Sequence, residues 1–246
     1  MSQRLSVHLL PHLFSSDEIT GGVAVVIDVL RATTTITCAL SEGAKAILPC
    51  LDIETAQHLA ANSTNEKIFL GGERQGKKIE GFDFDNSPSS YTEKKVAGKT
   101  IAFTTTNGTK ALHAALSAED ILIGAFVNLD AIISFLENEE RPIHLICAGT
   151  NGNITAEDVL FAGAVVCGLV SQNKKDYQLN DSATLAASAV QEPLQNDQLL
   201  LDALRKSHGG QNLIQLGFDA DIALAATRNT YPIIPQYDKK SSRITI

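Results

Sequence analysis

The sequence predicts an α/β protein in which helices are layered on both faces of a mostly parallel or mixed sheet. Short apolar runs alternate with helical patterns, such as those over 55–61 and 110–117, and this alternation is typical of βαβ units. Small, hydroxyl, amide or charged residues directly follow five of the apolar runs. Because ligands bind beyond the carboxyl ends of strands in open α/β sheets, these residues predict a ligand site there.

The first of these runs, 22–27, is entirely apolar and is predicted to be a buried strand. Asp28, Arg31, Thr33 and Thr34 follow it and place a carboxylate, a guanidinium and two hydroxyls at the strand end. Two interpretations stay open. Either Asp28 caps the next helix and Arg31 is an ordinary surface cation, or both residues line a site.

The apolar run at 67–70 leads into a glycine pair and an arginine. Glycine lets the backbone approach a ligand closely, as is expected at Gly72. A guanidinium can hold phosphate or sulfonate through two hydrogen bonds, which makes Arg74 a candidate for anion binding. Lys77 and Lys78 are instead predicted to be solvated loop charges.

A turn that could cradle an anion follows the run at 99–103. Its members are Thr105, Thr106, Asn107, Gly108 and Thr109. Hydroxyls and backbone N–H groups at the start of a helix can converge on one phosphate, helped by the helix dipole. Neither GxxxxGK[ST] nor GxGxxG is present, which excludes two common nucleotide-binding motifs. A hairpin or helix-capping turn is the alternative.

The runs at 121–123 and 143–147 are predicted to be further strands, and the second leads to Gly149. Glu157 and Asp158 then precede an apolar helix. Asp158 stands at a capping-box position, which favours a structural role. Two adjacent carboxylates at the ligand edge of a sheet could equally hold Mg²⁺, which takes oxygen ligands and keeps several waters.

The C-terminal third carries weaker signals. The pattern over 194–206 predicts an amphipathic helix, and His208 is either its last-turn cation or a site residue. Asp219 and Asp221 have an adequate explanation as first-turn carboxylates of another helix. Two prolines within 231–235 predict an edge or a closing segment.

Composition sets the broad class. The 246 residues are 44% hydrophobic and 20% charged, which is typical of a globular enzyme with a sizeable core. One domain over 1–246 is expected, or two closely packed lobes at about 1–150 and 151–246. No apolar run reaches the roughly 18 residues of a membrane-spanning helix, and the start lacks a signal-peptide pattern, so a cytoplasmic protein is expected.

The formal net charge of -8 argues against nucleic acid as a partner, because no basic patch is large enough to release many counterions. An acidic protein that binds an anion must gather cations locally, and Arg31, Arg74 and Lys110 lie near predicted strand ends. The expected partner is a small anionic molecule, with neither nucleic acid nor membrane, and a homodimer is left open. The four cysteines are scattered without a CxxC pair and are expected to be buried reduced thiols.

Six groups of short motifs occur in order between residues 22 and 237. They are Asp28-Val29-Leu30-Arg31-Ala32-Thr33-Thr34, Gly71-Gly72-Glu73-Arg74, Gly81-Phe82-Asp83 with Asn86-Ser87-Pro88, Thr105-Thr106-Asn107-Gly108-Thr109, Cys147-Ala148-Gly149 with Glu157-Asp158, and Ser207-His208-Gly209. This ordered set resembles the 2-phosphosulfolactate phosphatase family. One departure is Asp85, which stands where the family motif GFDxGNSP usually has glycine. A positive φ at that position would strain an aspartate.

The resemblance implies a Mg²⁺-dependent phosphatase that converts 2-phospho-3-sulfolactate and water to 3-sulfolactate and phosphate, a step in coenzyme M biosynthesis. It also implies a family-specific topology rather than a standard Rossmann domain. The residues that it points to are Asp28, Arg31, Arg74, Asn107 and Glu157 for catalysis, Asp28, Glu157 and Asp158 for the metal, and Thr33, Thr34, Gly72, Thr105, Thr106, Gly108, Thr109 and Gly149 for the substrate. The alternatives are a non-catalytic anion-binding or regulatory protein and a phosphatase of another phosphorylated hydroxy acid.

Overall fold

A computed structural model describes residues 2–172 and 174–246 and shows the predicted α/β class, with eleven strands in one mixed sheet. The strands are β1 (Gln3–His8), β2 (Val23–Ile27), β3 (Ala46–Pro49), β4 (Ile68–Arg74), β5 (Lys77–Lys78), β6 (Thr100–Thr104), β7 (Asp120–Gly124), β8 (Ile143–Cys147), β9 (Tyr177–Leu179), β10 (Gln236–Asp238) and β11 (Arg243–Thr245). The helices are α1 (Ser16–Ile19), α2 (Ala32–Ser41), α3 (Ile53–Asn62), α4 (Glu93–Val96), α5 (Gly108–Ala114), α6 (Leu129–Glu137), α7 (Ala156–Ser171), α8 (Asp181–Ala189), α9 (Asp197–Lys206), α10 (His208–Gln215) and α11 (Asp219–Ala225). Short 3₁₀ turns cover Pro88–Ser90, Ala115–Ser117, Phe126–Asn128 and Pro193–Gln195.

The sheet contains two groups of parallel strands, in the order β5-β4-β6-β3-β11-β10-β7-β2-β8-β1-β9. Strands β7, β2, β8, β1 and β9 form one group, and β3, β6 and β4 form the other. The hairpin of β10 and β11 joins the groups through antiparallel pairs on both sides. Because three successive pairs are antiparallel, strand direction reverses between the groups, and the sheet is mixed.

Strand β2 shows why the central run is apolar throughout. Val23, Val25 and Ile27 point into one core, which α6 and α7 cover. Ala24 and Val26 point into the other, which α2 and α5 cover. Successive side chains of a strand alternate between the faces, so a strand with helices on both sides needs apolar residues at every position. The predicted layering of helices on both faces is confirmed.

One of the two interpretations of His208, that of a last-turn cation, is wrong. His208 does not lie in the last turn of the predicted helix but begins α10. Ser207 separates α9 from α10 with an extended backbone, and its hydroxyl accepts a hydrogen bond from the Gly210 amide at 3.0 Å. This is the N-cap geometry that starts a new helix. The 231–235 segment leads into β10, and the carbonyl of Pro235 accepts from the amide of Ile123.

The cysteines agree with the expectation from composition, except that Cys167 is only half-buried. All four cysteines are free, and Cys38, Cys50 and Cys147 are buried. Burial raises the pKa of Cys38 to about 12 and that of Cys50 to about 11, so both remain protonated at neutral pH. Across residues 2–172 and 174–246, the helices lack the length and apolar character needed to cross a membrane.

Candidate active site

The carboxyl ends of four strands meet around one cleft of about 390 Å³. Its lining includes Asp28 after β2, Arg74 at the end of β4, Thr105 after β6 and Asn151 after β8. Asn212 of α10 closes the cleft from the C-terminal part of the chain. The predicted ligand edge is therefore a cleft that takes residues from both groups of parallel strands.

Two walls of this cleft can be distinguished. The acidic wall comprises Asp28, with Glu157 and Asp158 buried behind it at the start of α7. The arginine wall comprises Glu73 and Arg74 at the end of β4 and the turn 105–107 after β6. The first wall belongs to the strand group of β2 and β8, and the second to the group of β4 and β6.

Asp28 both supports the start of a helix and lines the cleft, the two alternatives that the sequence left open. Its Oδ1 accepts a hydrogen bond from the Ala32 amide at 3.3 Å, which supports the start of α2. Its Oδ2 receives no hydrogen bond from residues 2–172 and 174–246, and it lies against Gly108. A Cβ at Gly108 would stand 2.8 Å from that oxygen, so glycine is what allows the turn to approach the carboxylate.

Buried carboxylates of the acidic wall raise one another's pKa. Burial, together with Glu73 and Glu157, raises the pKa of Asp28 to about 7, and the Ala32 amide and Arg31 oppose this rise. Burial also raises the pKa of Glu157. A cation beside these groups would stabilise their ionised forms and lower their pKa values.

Glu157 carries an unpaired oxygen in the interior. The residue is 1% exposed, and its Oε2 has no hydrogen-bond partner among the described residues. Its Oε1 packs so closely on Gly209 that a Cβ there would come within 2.0 Å. Gly209 lines the cleft, so Glu157 lies directly behind the cleft surface.

Asp158 has different contacts from its neighbour. Its Oδ1 accepts from the Val29 amide at 2.9 Å, and its Oδ2 accepts from the Gly149 amide at 2.9 Å and from the Thr155 hydroxyl at 3.3 Å. Burial, Asp28 and Glu157 raise its pKa, and the two amides oppose that rise. Asp158 therefore ties the loop after β2 to the loop after β8, and the predicted metal role would compete with these bonds.

Arg31 is a buried member of the cleft and not a surface cation. The residue is 3% exposed, and its guanidinium forms an ion pair of 2.7 Å with Asp221. It also donates to the carbonyl of Gly76 at 2.8 Å. Asp221 does lie in the first turn of α11 as predicted, but its carboxylate serves Arg31 as well as the helix start.

Glu73, to which no role was assigned from the sequence, organises the arginine wall. Its Oε1 accepts from the amide and the hydroxyl of Thr106, both at 2.9 Å, and its Oε2 accepts from the Gly76 amide at 2.7 Å. The preceding Gly72 has φ +140°, and a Cβ there would stand 2.0 Å from the carbonyl oxygen of Thr104. Only glycine fits this approach of β4 to β6.

Arg74 is half-buried at the rim of this wall. It donates to the carbonyl of Glu73 at 2.8 Å and to the Thr104 hydroxyl at 2.9 Å. No carboxylate of the described residues pairs with it in an ion pair. Its charge therefore remains for a ligand in the cleft, whereas Lys77 and Lys78 are exposed on the adjacent hairpin.

Some residues of the turn after β6 line the cleft, and others support those residues from behind. Thr105, Thr106 and Asn107 line the cleft, and the buried Thr105 hydroxyl has no partner among the described residues. Thr109 lies behind them and donates to the carbonyl of Thr105. The Asn107 side chain stands at the start of α5 and accepts from the Asn151 amide at 3.1 Å, so it joins two strand ends.

Besides Thr109, two further hydroxyls that were predicted to bind substrate do not reach the cleft. Thr33 accepts from the Asp28 amide at 3.1 Å, and Thr34 donates to the carbonyl of Val29 at 2.8 Å. Both shape the loop that carries Asp28. The residues that follow β7, the fifth strand, do not line the cleft either. There the buried side-chain amide of Asn128 accepts a hydrogen bond from the Ala125 amide and donates to the carbonyls of Ile123 and Ile233.

Asp85 does not adopt the positive φ that a glycine would permit. Its Oδ1 accepts from the Ser87 amide at 3.0 Å, an Asx turn that aspartate makes readily. The neighbouring Asn86 lines the cleft, is 4% exposed, and has an Oδ1 without a partner among the described residues. The Asn-Ser-Pro motif was the available sequence signal for this residue.

The carboxylates of the acidic wall supply the kind of oxygen ligand that Mg²⁺ prefers. Residues 2–172 and 174–246 hold no ready-made group of three or more His, Cys, Asp or Glu metal ligands. Mg²⁺ needs fewer, because it binds through one or two carboxylates together with waters and a substrate phosphate. Asp28 and Glu157 each keep an oxygen without a hydrogen-bond partner, so the residues present fit the ion.

Fold and cleft together define an α/β protein with a polar cleft at the carboxyl ends of its strands, the place where proteins of this class bind small ligands. A model of the 2-phosphosulpholactate phosphatase family matches residues 8–240. The chain therefore belongs to this family of phosphoric monoester hydrolases, and the resemblance recognised in the sequence is confirmed.

Individual relatives agree with this membership. A probable 2-phosphosulfolactate phosphatase of Caldanaerobacter subterraneus subsp. tengcongensis is 39% identical over 212 residues, which is 86% of each chain. That of Symbiobacterium thermophilum is 39% identical over 222 residues, 90% of this chain and 94% of the relative. That of Thermotoga petrophila is 41% identical over 213 residues, 86% and 87% of the two chains.

Proposed function

We propose that the protein is a Mg²⁺-dependent phosphatase that hydrolyses 2-phospho-3-sulfolactate to 3-sulfolactate and phosphate. The observation that carries the proposal is the placement, in and directly behind one cleft of a family member, of acidic oxygens without a hydrogen-bond partner and a guanidinium without an ion-pair partner. The oxygens belong to Asp28 and Glu157, and the guanidinium to Arg74. The proposal includes a place in coenzyme M biosynthesis and a cytoplasmic location.

The acidic wall is the argument for the metal. An anionic phosphate monoester would be repelled by ionised Asp28 and Glu157 unless a cation separated them. Both carboxylates would hold Mg²⁺ through their unpaired oxygens. When bound, the ion supplies charge neutralisation at the phosphoryl oxygens and a water of lowered pKa.

The arginine wall supplies orientation of the substrate. Arg74 offers its remaining N–H groups to phosphoryl oxygens, and the Thr105 hydroxyl has a free hydrogen to donate. Glu73 holds Thr106 and thereby the shape of the turn before the substrate arrives. Positioning and electrostatic stabilisation of this kind provide most of the acceleration in phosphoryl transfer.

Asp28 has two chemical roles open to it. As a metal ligand its carboxylate would be ionised, because a bound cation lowers the pKa that burial raises to about 7 in the metal-free protein. As a nucleophile it would instead form an aspartyl phosphate. Acid quench during turnover, followed by mass spectrometry of the peptide that contains Asp28, separates these roles.

The direct test is phosphate release from 2-phospho-3-sulfolactate, 2-phospholactate and 3-phosphoglycerate after exhaustive EDTA treatment and again after Mg²⁺ is added. We expect no release without the metal, restoration by Mg²⁺, and the highest kcat/KM for the sulfonated compound. Full activity after chelation would contradict the metal role. Preference for another monoester would identify a different phosphorylated hydroxy acid, and binding without turnover would identify an anion-binding protein.

A further inference from the structure

The buried ion pair of Arg31 and Asp221 links residues that are 190 positions apart in the chain. Its Nη1 to Oδ2 distance is 2.7 Å, and each side chain is 2% exposed. Arg31 lines the cleft, whereas Asp221 lies behind it in α11. The pair therefore reaches from the helical C-terminal part of the chain to the ligand edge of the sheet.

Further contacts hold the guanidinium in one plane. Its Nη2 donates to the carbonyl of Gly76 at 2.8 Å, and its central carbon lies 4.4 Å above the ring centroid of Phe218. The second oxygen of Asp221 accepts from the Ser87 hydroxyl at 2.7 Å. Ser87 thus holds the Asp221 carboxylate, and Gly76 and Phe218 hold the Arg31 guanidinium.

We propose that Asp221 is a positioning residue for catalysis, which orients Arg31 so that its remaining N–H groups face a phosphate monoester in the cleft. Arg31 has five N–H donors, and the two contacts described above use two of them. The planar fork of arginine is useful only in the correct orientation. The catalytic part of this inference rests on the proposed phosphatase function.

Stability alone does not account for the pair. Removing two charges from water is unfavourable, and apolar residues of similar size often serve a protein interior as well or better. What the pair adds is a fixed direction for the guanidinium at the edge of a ligand cleft. Asp221 also neutralises the charge of Arg31. Arg31 therefore contributes correctly oriented N–H groups rather than net charge, and the positive charge without an ion-pair partner comes from Arg74.

The Asp221→Asn variant is expected to lower kcat without weakening the binding of phosphate. The variant leaves the charge of Arg31 uncompensated, so the Kd for inorganic phosphate should stay unchanged or fall. The guanidinium would at the same time lose its orientation, and kcat should fall by about 100-fold, as misplacement of about 1 Å can produce. A role in folding alone would lower the melting temperature and leave kcat per folded molecule unchanged.

The matched control is Asp219→Asn in the same helix turn. Asp219 pairs with Arg205 through two hydrogen bonds of 2.9 and 2.7 Å, but it is half exposed and lies outside the cleft. We expect wild-type kcat from this control. Phosphate release, calorimetry with inorganic phosphate in the presence of Mg²⁺, and thermal melts should be recorded for each variant.

A double-mutant cycle with Arg31→Ala makes the test specific. If Asp221 acts through Arg31, the Asp221→Asn change should have little further effect on kcat in the Arg31→Ala background. An equal loss in both backgrounds, or an unchanged kcat in the single variant, overturns the proposal. If Asp221→Asn does not fold, Ser87→Ala removes one anchor of the carboxylate and should lower kcat by a smaller factor, with phosphate affinity retained.

The same data separate the two hypotheses. A wild-type protein that releases phosphate from none of the monoesters would end the proposed function. The calorimetric comparison would still decide the orientation role, because weaker binding of inorganic phosphate by Asp221→Asn contradicts it and equal or tighter binding supports it.

Discussion

The acidic wall and the arginine wall both contain buried carboxylates, but the carboxylates differ in what their oxygens contact. In the arginine wall, Glu73 accepts three hydrogen bonds from N–H and O–H groups. In the acidic wall, Asp28 and Glu157 each keep an oxygen without a partner among the described residues. Burial and charge are therefore alike in the two walls, and what distinguishes Asp28 and Glu157 from Glu73 is an oxygen left without a hydrogen-bond partner.

Asp158 extends the comparison within the acidic wall itself. It is adjacent to Glu157 in sequence and equally buried, yet its two oxygens accept three hydrogen bonds. By this criterion Asp158 resembles Glu73 more than Glu157. Its predicted place among the metal ligands stays a prediction, and the structure favours a supporting role.

The largest effect is expected for Asp28→Asn. Asparagine caps a helix about as well as aspartate, so the melting temperature should remain near that of the wild type. Loss of the charge removes a metal ligand, and because metal assistance contributes several kcal/mol, kcat should fall by about 1,000-fold. Steady-state phosphate release and a thermal melt measure both quantities. Near-wild-type turnover would leave only the capping role.

Paired substitutions of Glu157→Gln and Glu73→Gln test the contrast between the walls directly. Glu157→Gln removes an unpaired buried charge, so activity should be lost while stability is kept or raised. Glu73→Gln weakens charge-assisted bonds that shape the turn, and the free energy of unfolding should fall by about 1–3 kcal/mol. Denaturant titration and initial rates decide the outcome. If both substitutions changed the free energy of unfolding equally, the proposed difference between Glu157 and Glu73 would be contradicted.

A smaller effect is expected for Arg74→Lys. Lysine keeps the positive charge but loses the planar fork, so kcat/KM should fall by about 10- to 100-fold without loss of the fold. Lys78→Ala is the control, because this lysine is exposed on β5 and should alter kcat/KM little. An unchanged kcat/KM for the arginine variant would make Arg74 an ordinary rim cation.

The final test of the acidic wall uses pH, and its effect is on stability rather than on turnover. Folding raises the pKa of Asp28 from its ordinary value of 3.8 to about 7. A raised folded pKa contributes stability that is complete below the unfolded value and is lost as pH rises through the folded one. The metal-free protein should therefore lose thermal stability between about pH 4 and 7. Mg²⁺ should raise the melting temperature more at pH 8 than at pH 5, which differential scanning fluorimetry can measure, and an equal shift would argue against Asp28 as ligand.

Local patterns account for much of what could be predicted. The apolar runs before Asp28, Arg74, Thr105 and Gly149 identify strands, and helical segments between them identify the α/β class. The reversal of strand direction was not predictable, because β10 and β11 have three residues each and their pairing depends on distant parts of the chain.

The ion pair of Arg31 and Asp221 was also not predictable from the sequence, because it too depends on distant parts of the chain. A first-turn aspartate has a sufficient local explanation, and its ion-pair partner lies 190 residues away. Asn212 gave no local signal at all, since a single polar residue on a helix is ordinary. Sequence patterns therefore identified the strand ends well, whereas contacts between distant elements became visible only in the folded chain.

The hairpin of β10 and β11 has a consequence for how ligand binding and folding are linked. It bridges the two strand groups through Gln236 with Leu122 and Ile244 with Ile47. The two walls are thus attached to different halves of the sheet, and a ligand that contacts both is a reversible cross-link between them. By mass action, such a ligand stabilises the joined state in proportion to the logarithm of its concentration. A destabilising substitution at the fully buried Ile244 should therefore weaken ligand binding from outside the cleft, and saturating ligand should restore the melting temperature.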